Sequence, residues 1–351
     1  MPGDNYPAGG FLLHQILEKY LELYNQSLIN EKINGEKVRK IIKDNILSTI
    51  IDNHDESTWR LYLWNSLDMA DKILDNIYES LKNEDHGFDA VLKVSFILKA
   101  PGIVGTGSGL FRSVFEVGLS FDWLLGLPYY PASTVKGAVR SYSLKLLGDG
   151  NEDWLVDVFF GDSNEKGSSL ISFFDMYPVG CDESTGHPCL ILTGGIVNPH
   201  YYEGGEVVES ETDANPTPIQ HIVIAPGTVF RLVAGIRCPW KKDQEKLVID
   251  TRSVERLVKK ILGVDVKCGI KDGKCSCLYQ YAVAVATLVV AAFRQGFAAR
   301  SGKGYNVMDI FSGEPMRDVR SLALFIPAPN DDRHPPRGRR PGNRSFHGRR
   351  V

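Results

Sequence analysis

Two stretches of this 351-residue chain bring cationic side chains together with glycine. In GLPYYPASTVKGAVR (126–140), Lys136 and Arg140 stand four residues apart, with Ser133 one turn earlier and Gly137 between them. On a helix that spacing puts both cations on one face. In FRQGFAARSGKGY (293–305), Arg294, Arg300 and Lys303 stand among Gly296, Gly302 and Gly304. The chemistry open to both sets is anion binding. Glycine lets the backbone approach a ligand closely, successive amides form an anion nest, and a helix N-terminus adds free amides and a positive dipole. A phosphodiester backbone suits such a cradle. The bland alternative for the second set is a helix cap followed by a hairpin with solvated charges.

Neither stretch is a nucleotide-binding loop. PGIVGTGSGL (101–110) has Gly105, Gly107 and Gly109, so the dinucleotide fingerprint fails at its last glycine, and the residues after it look like strand rather than helix. In GFAARSGKGY (296–305) Phe297 stands where a phosphate-binding P-loop has its first glycine, and Gly304 replaces the magnesium-binding Ser or Thr. Catalytic candidates are weaker still. His14, His54, His86, His187, His200 and His221 qualify by type alone, since no pair has a catalytic spacing. Asp162 and Asp175 would be the carboxylates of a metal-assisted nuclease, but both read better as turn or capping residues. No catalytic residue, cofactor or metal site is therefore assigned. Cys268, Cys275 and Cys277 form the single cysteine cluster; its spacing is not that of a zinc ribbon, a local disulfide is an alternative, and free thiols in a turn are favoured.

The elements that position these residues follow from periodicity. FLLHQILEKYLELYNQSLI, EKVRKIIKDNILSTII and STWRLYLWNSLDMADKILDNIYESLKN show helical spacing, the last with Ser57 as its cap. At Asp89 the period changes. In AVLKVSFILK, Leu92, Val94, Phe96 and Leu98 alternate with Lys93, Ser95 and Lys99, which predicts a half-buried strand. LISFFDMY, LILTGGIV, HIVIA and VFRLVAGI read as further strands, the last two flanking a Pro226-Gly227 turn. Helices are expected at 251–262 and 278–294, and from Pro131 onward with Ser133 or Thr134 as cap. Gly137, a poor helix former, suggests close backbone contact on its side. The stretch from Tyr201 to Pro218 reads as a long loop or insertion. Helices returning among antiparallel strands give an α+β class.

Composition bounds the rest. Hydrophobic residues are 43% and charged residues 24%, which excludes a fibrous or wholly disordered chain. The longest apolar run, Tyr281 to Phe293 broken only by Thr287, is too short for a bilayer span. The first ten residues lack the basic and apolar regions of a secretory signal, so a cytoplasmic location is expected. Residues 331–351 carry seven Arg against Asp331 and Asp332, a net +5, which leaves −8 for the rest of a chain whose net charge is −3. Any nucleic-acid affinity of the body must come from a local patch. The tail reads as a disordered extension.

Pro131, Ser133, Lys136, Gly137, Ala138 and Arg140 match a Pro-x-Ser-x-x-Lys-Gly-Ala-x-Arg helix start, and FFGDSNEKGSSLISFFDMYP (159–178) matches the Phe-Gly…Asp block that follows it. Together with the closing glycine loop at 296–304, they resemble the RAMP superfamily of CRISPR proteins. Asp175 to Pro178, the NPHYY run at 198–202 and Pro216 to Ile219 point to the subunits of type III-B (Cmr) effector complexes. The resemblance covers roughly residues 90–327. It implies a ferredoxin-like (RNA-recognition-motif-like) core at 89–327, after a helical segment 1–88 and before an Arg/Pro/Gly-rich tail 328–351. It also implies a non-catalytic backbone subunit that binds CRISPR RNA near its 3′ end, the guide–target duplex and other Cmr subunits, with no membrane and no small-molecule substrate. The expected RNA contacts are Ser133, Lys136, Gly137, Arg140, Arg294, Gly296, Arg300, Gly302, Lys303 and Gly304, with His200, Tyr201 and Tyr202 as a wedge against the duplex. The alternatives are a metal-independent RAMP endoribonuclease that processes CRISPR precursor RNA, metal-assisted target cleavage, and a pure interaction scaffold.

Overall fold

The computed structural model describes residues 57–83, 87–107, 115, 117–147, 153–161, 169–182, 184, 189, 191–197, 202–203, 206–207, 218–243, 246–271, 274–311 and 323–325, with a few helical residues between 21 and 44. The tail from 326 onward and most of the first two expected helices lie outside that set.

The ordered elements are α1 (Ser57–Leu81), β1 (Ala90–Leu98), α2 (Ala132–Leu147), α3 (Asp153–Phe160), β2 (Ile171–Phe173), β3 (Tyr177–Cys181), β4 (Leu192–Val197), β5 (Ile219–Ile224), β6 (Thr228–Ile236), α4 (Thr251–Leu262), α5 (Leu278–Arg294), β7 (Met308–Ile310) and β8 (Ala323–Phe325). Short hairpins join several of them. The main sheet is antiparallel and runs β7–β1–β6–β2, with β8 also on β1 and β3 also on β6. A β-α-β-β-α-β chain order with the last strand beside the first makes this an α+β fold, consistent with a ferredoxin-like core.

The alternation along β1 decides what covers each face. Leu92, Val94, Phe96 and Leu98 point into the main core with Leu232, Ala234 and Ile236 of β6. Val91 and Val233 point the other way and pack under Leu74, Tyr78 and Leu81 of α1. The polar side of the strand is therefore also covered. Lys93 reaches Asp75 of α1 at 3.1 Å, and Arg231 of β6 pairs with Asp71 and Asp75. Burial lowers the Arg231 guanidinium pKa, and the two carboxylates offset that desolvation.

On the opposite face α5 is apolar all round and accordingly buried. It packs on β1, α2 and α4, with the Phe293 and Phe96 rings 4.7 Å apart. In α2, Val135, Val139, Ser143 and Leu147 recur at four-residue spacing and form the buried stripe, which leaves Ser133 and Gly137 on the open side.

Three expectations are corrected. The run LISFFDMY is two strands, because the chain breaks at Phe174–Met176 to send Asp175 toward α2 and to bridge Met176 with Tyr130. As expected, β5 and β6 flank a Pro226-Gly227 turn; β5 pairs with β4 and β6 with β1. α2 begins at Ala132 rather than after Ser133 or Thr134, since its cap comes from another strand. The cysteines are not simply free thiols: Cys268 bonds to Cys277 and Cys181 to Cys189, while Cys238 and Cys275 remain free and buried. In the first pair, hairpin residues Ile270–Lys271 and Lys274–Cys275 fold the chain back and bring the two Cα atoms to 5.2 Å.

Candidate nucleic-acid interface

The two cationic stretches meet at one end of the molecule, and Asn306 is the residue that joins them. Its side chain is buried, and its Oδ1 accepts hydrogen bonds from the Ile103 amide (2.8 Å) and the Tyr130 hydroxyl (2.8 Å). Its Nδ2 donates to the Ala299 carbonyl (2.7 Å), and its own amide donates to Pro101 (3.0 Å). One side chain thus ties the glycine loop, the segment after β1 and the residue just before Pro131. Burial pushes the Tyr130 phenol pKa far up, so it stays a donor. Its ring also lies 4.9 Å from Phe297 of the loop.

Close approach makes one glycine obligatory here. A Cβ on Gly102 would sit 2.6 Å from the Tyr130 hydroxyl and 3.0 Å from the Ile224 Cβ. Gly102 also exchanges both backbone hydrogen bonds with Ile224 of β5. The loop itself is held in an unusual backbone. Ala298, Arg300 and Asn306 have φ near +60°, and Gly296 and Gly304 are also left-handed. A short 3-10 turn, Ser301–Lys303, closes on Gly304, whose amide donates to the Ser301 carbonyl. Left-handed non-glycine residues cost energy, and three within nine residues persist because the hydrogen bonds behind them over-determine the loop.

In front of this scaffold the expected contact residues divide into two groups. Arg300, Gly302, Lys303 and Gly304 are exposed, and Lys136 is partly exposed. Among the described residues, none of Lys136, Arg300 and Lys303 has a carboxylate partner. Arg140 instead pairs with Asp157 of α3 at 2.6 Å, and Arg294 with Asp309 of β7 at 2.7 Å. Among the described residues, a Cβ on Gly137, Gly302 or Gly304 would meet nothing within 4 Å, so the close contact expected at Gly137 is not seen there.

The helix N-terminus is already occupied. Asp175 Oδ1 accepts from the Ala132 amide at 2.7 Å, which places the chain's own carboxylate where a phosphate was expected. Beside it, Tyr177 donates to Asp122 at 3.0 Å and stacks on Tyr129 at 5.4 Å. Burial, then the Asp122 hydrogen bond, raises the Tyr177 pKa. Asp175 is thus a capping residue, and Asp162 lies outside the described residues.

Of the histidines, His221 is the one described, and it is fully buried with its Nε2 unpartnered, facing Gly195. Desolvation lowers its pKa, and the charges of Arg300 and Lys43 lower it further. His200 and Tyr201 of the expected wedge lie outside the described residues; Tyr202 opens a small hairpin, Tyr202–Glu203 with Glu206–Val207.

The RAMP-superfamily model matches residues 98–264, from the last residue of β1 to just beyond α4. This segment, a little under half of the chain, is similar to the RAMP superfamily. The CRISPR system CMR subunit Cmr6 of Saccharolobus solfataricus is 29% identical over 198 residues, which is 56% of this chain and 61% of that protein. The match therefore spans less than two thirds of the relative. A chain of the type III-B Cmr-beta complex, solved by cryo-EM bound to cognate target RNA, superposes with a TM-score of 0.51 at 21% identity over 85% of this chain and 78% of its own. That likeness shows the fold.

Within the RAMP segment lie Lys136, Arg140 and Tyr130; the glycine loop lies beyond it and is joined to it through Asn306. Asn306 is the residue that the motif analysis missed. Its signal was faint: an Asn two residues before the strand Met308–Ile310, at a position where a left-handed backbone favours Asn.

Proposed function

We propose that the chain is a non-catalytic backbone subunit of a type III-B (Cmr) CRISPR effector complex, equivalent to its sixth subunit. It holds CRISPR RNA near its 3′ end and the guide–target duplex in antiviral defence. The observation that carries this reading is the pairing of an over-determined glycine loop with three cations that lack carboxylate partners among the described residues. Such a surface binds phosphates and positions an RNA; base pairing of the guide then carries sequence. Lys136, Arg300 and Lys303 supply the charge, with Ser133 and the open glycines Gly137, Gly302 and Gly304 giving close backbone access. Arg140 and Arg294 act mainly through their carboxylate partners, which orient them at the margin. The core 89–327 carries the RNA surface, the segment 1–88 contributes the helical cover and a docking face for neighbouring subunits, and the arginine-rich tail 328–351 adds non-specific affinity.

The test uses the full chain with end-labelled repeat-spacer RNA, without metal and at low salt, resolved on native and denaturing gels. The expected outcome is a shifted but intact RNA. Lys136→Ala with Lys303→Ala should weaken binding and lower the slope of log affinity against log salt by about 1 to 2. Arg140→Ala should change that slope less. A discrete cleavage product would replace this reading with the processing endonuclease, and unchanged guide retention by the double variant in a reconstituted complex would remove the cradle.

A further inference from the structure

At the far end of α5 a second cluster has no part in the RNA reading. Cys238 follows β6, Cys268 follows α4, and Cys275 and Cys277 lead into α5. We propose that Cys238, Cys268, Cys275 and Cys277 form a tetrahedral thiolate site for one zinc ion, filled when the Cys268–Cys277 bond is reduced.

The geometry is close to that of the filled site. The sulfurs of Cys268, Cys275 and Cys277 all lie within 4.8 Å of one another, and those of Cys275 and Cys277 are 3.4 Å apart. Cys238 stands beside these three, its thiol against that of Cys275, and turns inward to complete the set. Sulfurs around a tetrahedral zinc stand about 3.8 Å apart, so the site fills once the Cys268–Cys277 bond opens and the Cys238 side chain turns toward the other three. Cys238, Cys275 and Cys277 are at most 5% exposed, as in structural metal sites.

The surroundings favour thiolates. The cluster sits at the N-terminal end of α5, whose dipole favours negative charge. Asp89 opposes this, but its carboxylate is engaged by the Cys238 amide at 2.7 Å. Four thiolates select a soft or borderline ion over magnesium or calcium.

The chemistry balances. A dithiol reductant gives two electrons and two protons to the Cys268–Cys277 bond and leaves as its own disulfide. The four thiols then bind one Zn²⁺ and release four protons to solvent.

The experiment purifies the full chain anaerobically with a dithiol and measures zinc by mass spectrometry. The expected result is close to one zinc per chain, lost from Cys268→Ser/Cys277→Ser and retained by Cys181→Ser/Cys189→Ser. Should the first variant fail to fold, cobalt added to the reduced wild-type chain decides. Intense visible bands with sulfur-to-cobalt charge transfer support the site. A chain whose six cysteines all titrate as thiols, yet which holds neither zinc nor cobalt through gel filtration, overturns it. So does a Cys268–Cys277 cross-link that survives the dithiol, or iron in place of zinc.

Discussion

The two ends of α5 solve opposite problems. Seventeen residues separate them, about 25 Å at helical rise. At the first end Cys277 is bonded to Cys268, Tyr281 is fully buried with its hydroxyl on the Arg237 carbonyl, and Cys275, Cys277 and Leu278 are buried. At the second end, two residues past the helix, the backbone turns left-handed at Gly296 and stays unusual to Asn306. Neutral hydrogen bonds hold that loop from behind, and its cations face outward. The first end gains stability by excluding water. The second accepts backbone strain and keeps a polar surface ready, which is the signature of a contact site rather than of packing.

If the loop is fixed from behind by Asn306, breaking that point should produce the largest effect. Asn306→Leu strips two acceptor bonds and one donor bond and leaves the Ile103 amide and the Tyr130 hydroxyl buried without partners. A loss on the order of 3–5 kcal/mol in urea unfolding is expected. Gly102→Ala comes next: its methyl displaces the Tyr130 hydroxyl and strains the Ile224 contact, for about 2–3 kcal/mol. A loss under about 0.5 kcal/mol for either would mean that the loop is held by something else.

His221 sharpens the contrast by pH. Its folded pKa is lowered by burial, so above the ordinary value of 6.5 the ring is neutral in both states and adds no pH dependence. As pH falls through that value, the unfolded chain takes up a proton that the folded chain refuses, and stability drops. His221→Gln should flatten the stability profile between about pH 7 and pH 5; an unchanged slope would locate the titration elsewhere.

The smallest effect belongs to Arg140 and Asp157, each about one third exposed. A double-mutant cycle should give about 0.5–1 kcal/mol of coupling. A coupling near zero would return Arg140 to the group of free cations.

Much of this was legible in the residues. The alternation at 92–96 and the apolar run at 278–294 marked β1 and α5, because burial on a fixed face imposes the period. The Lys136 and glycine-loop motifs marked the residues that the fold brings to one end. What stayed hidden depends on distant pairs. Asp175 caps a helix that begins 43 residues earlier, and Asn306 bonds Ile103 across 203 positions. The partner of Lys93 lies on α1, which turns a strand face that looked solvated into a covered one. The pairing of Cys268 with Cys277 needed the hairpin between them. Local periodicity carries no information about such closures.

The two-way bond between Gly102 and Ile224 has one more consequence. Ile224 and Leu192 form the near end of the β4–β5 ribbon, beside the glycine loop, while Val197 and Ile219 form its far end, roughly 17 Å away at five strand steps. The chain leaves that far end after Val197 and rejoins it at Ile219. The ribbon is thus a ruler, fixed at the loop and marked at its tip. A ligand must exceed that length before it touches both ends, so affinity measured against oligonucleotide length should rise in a step rather than a ramp.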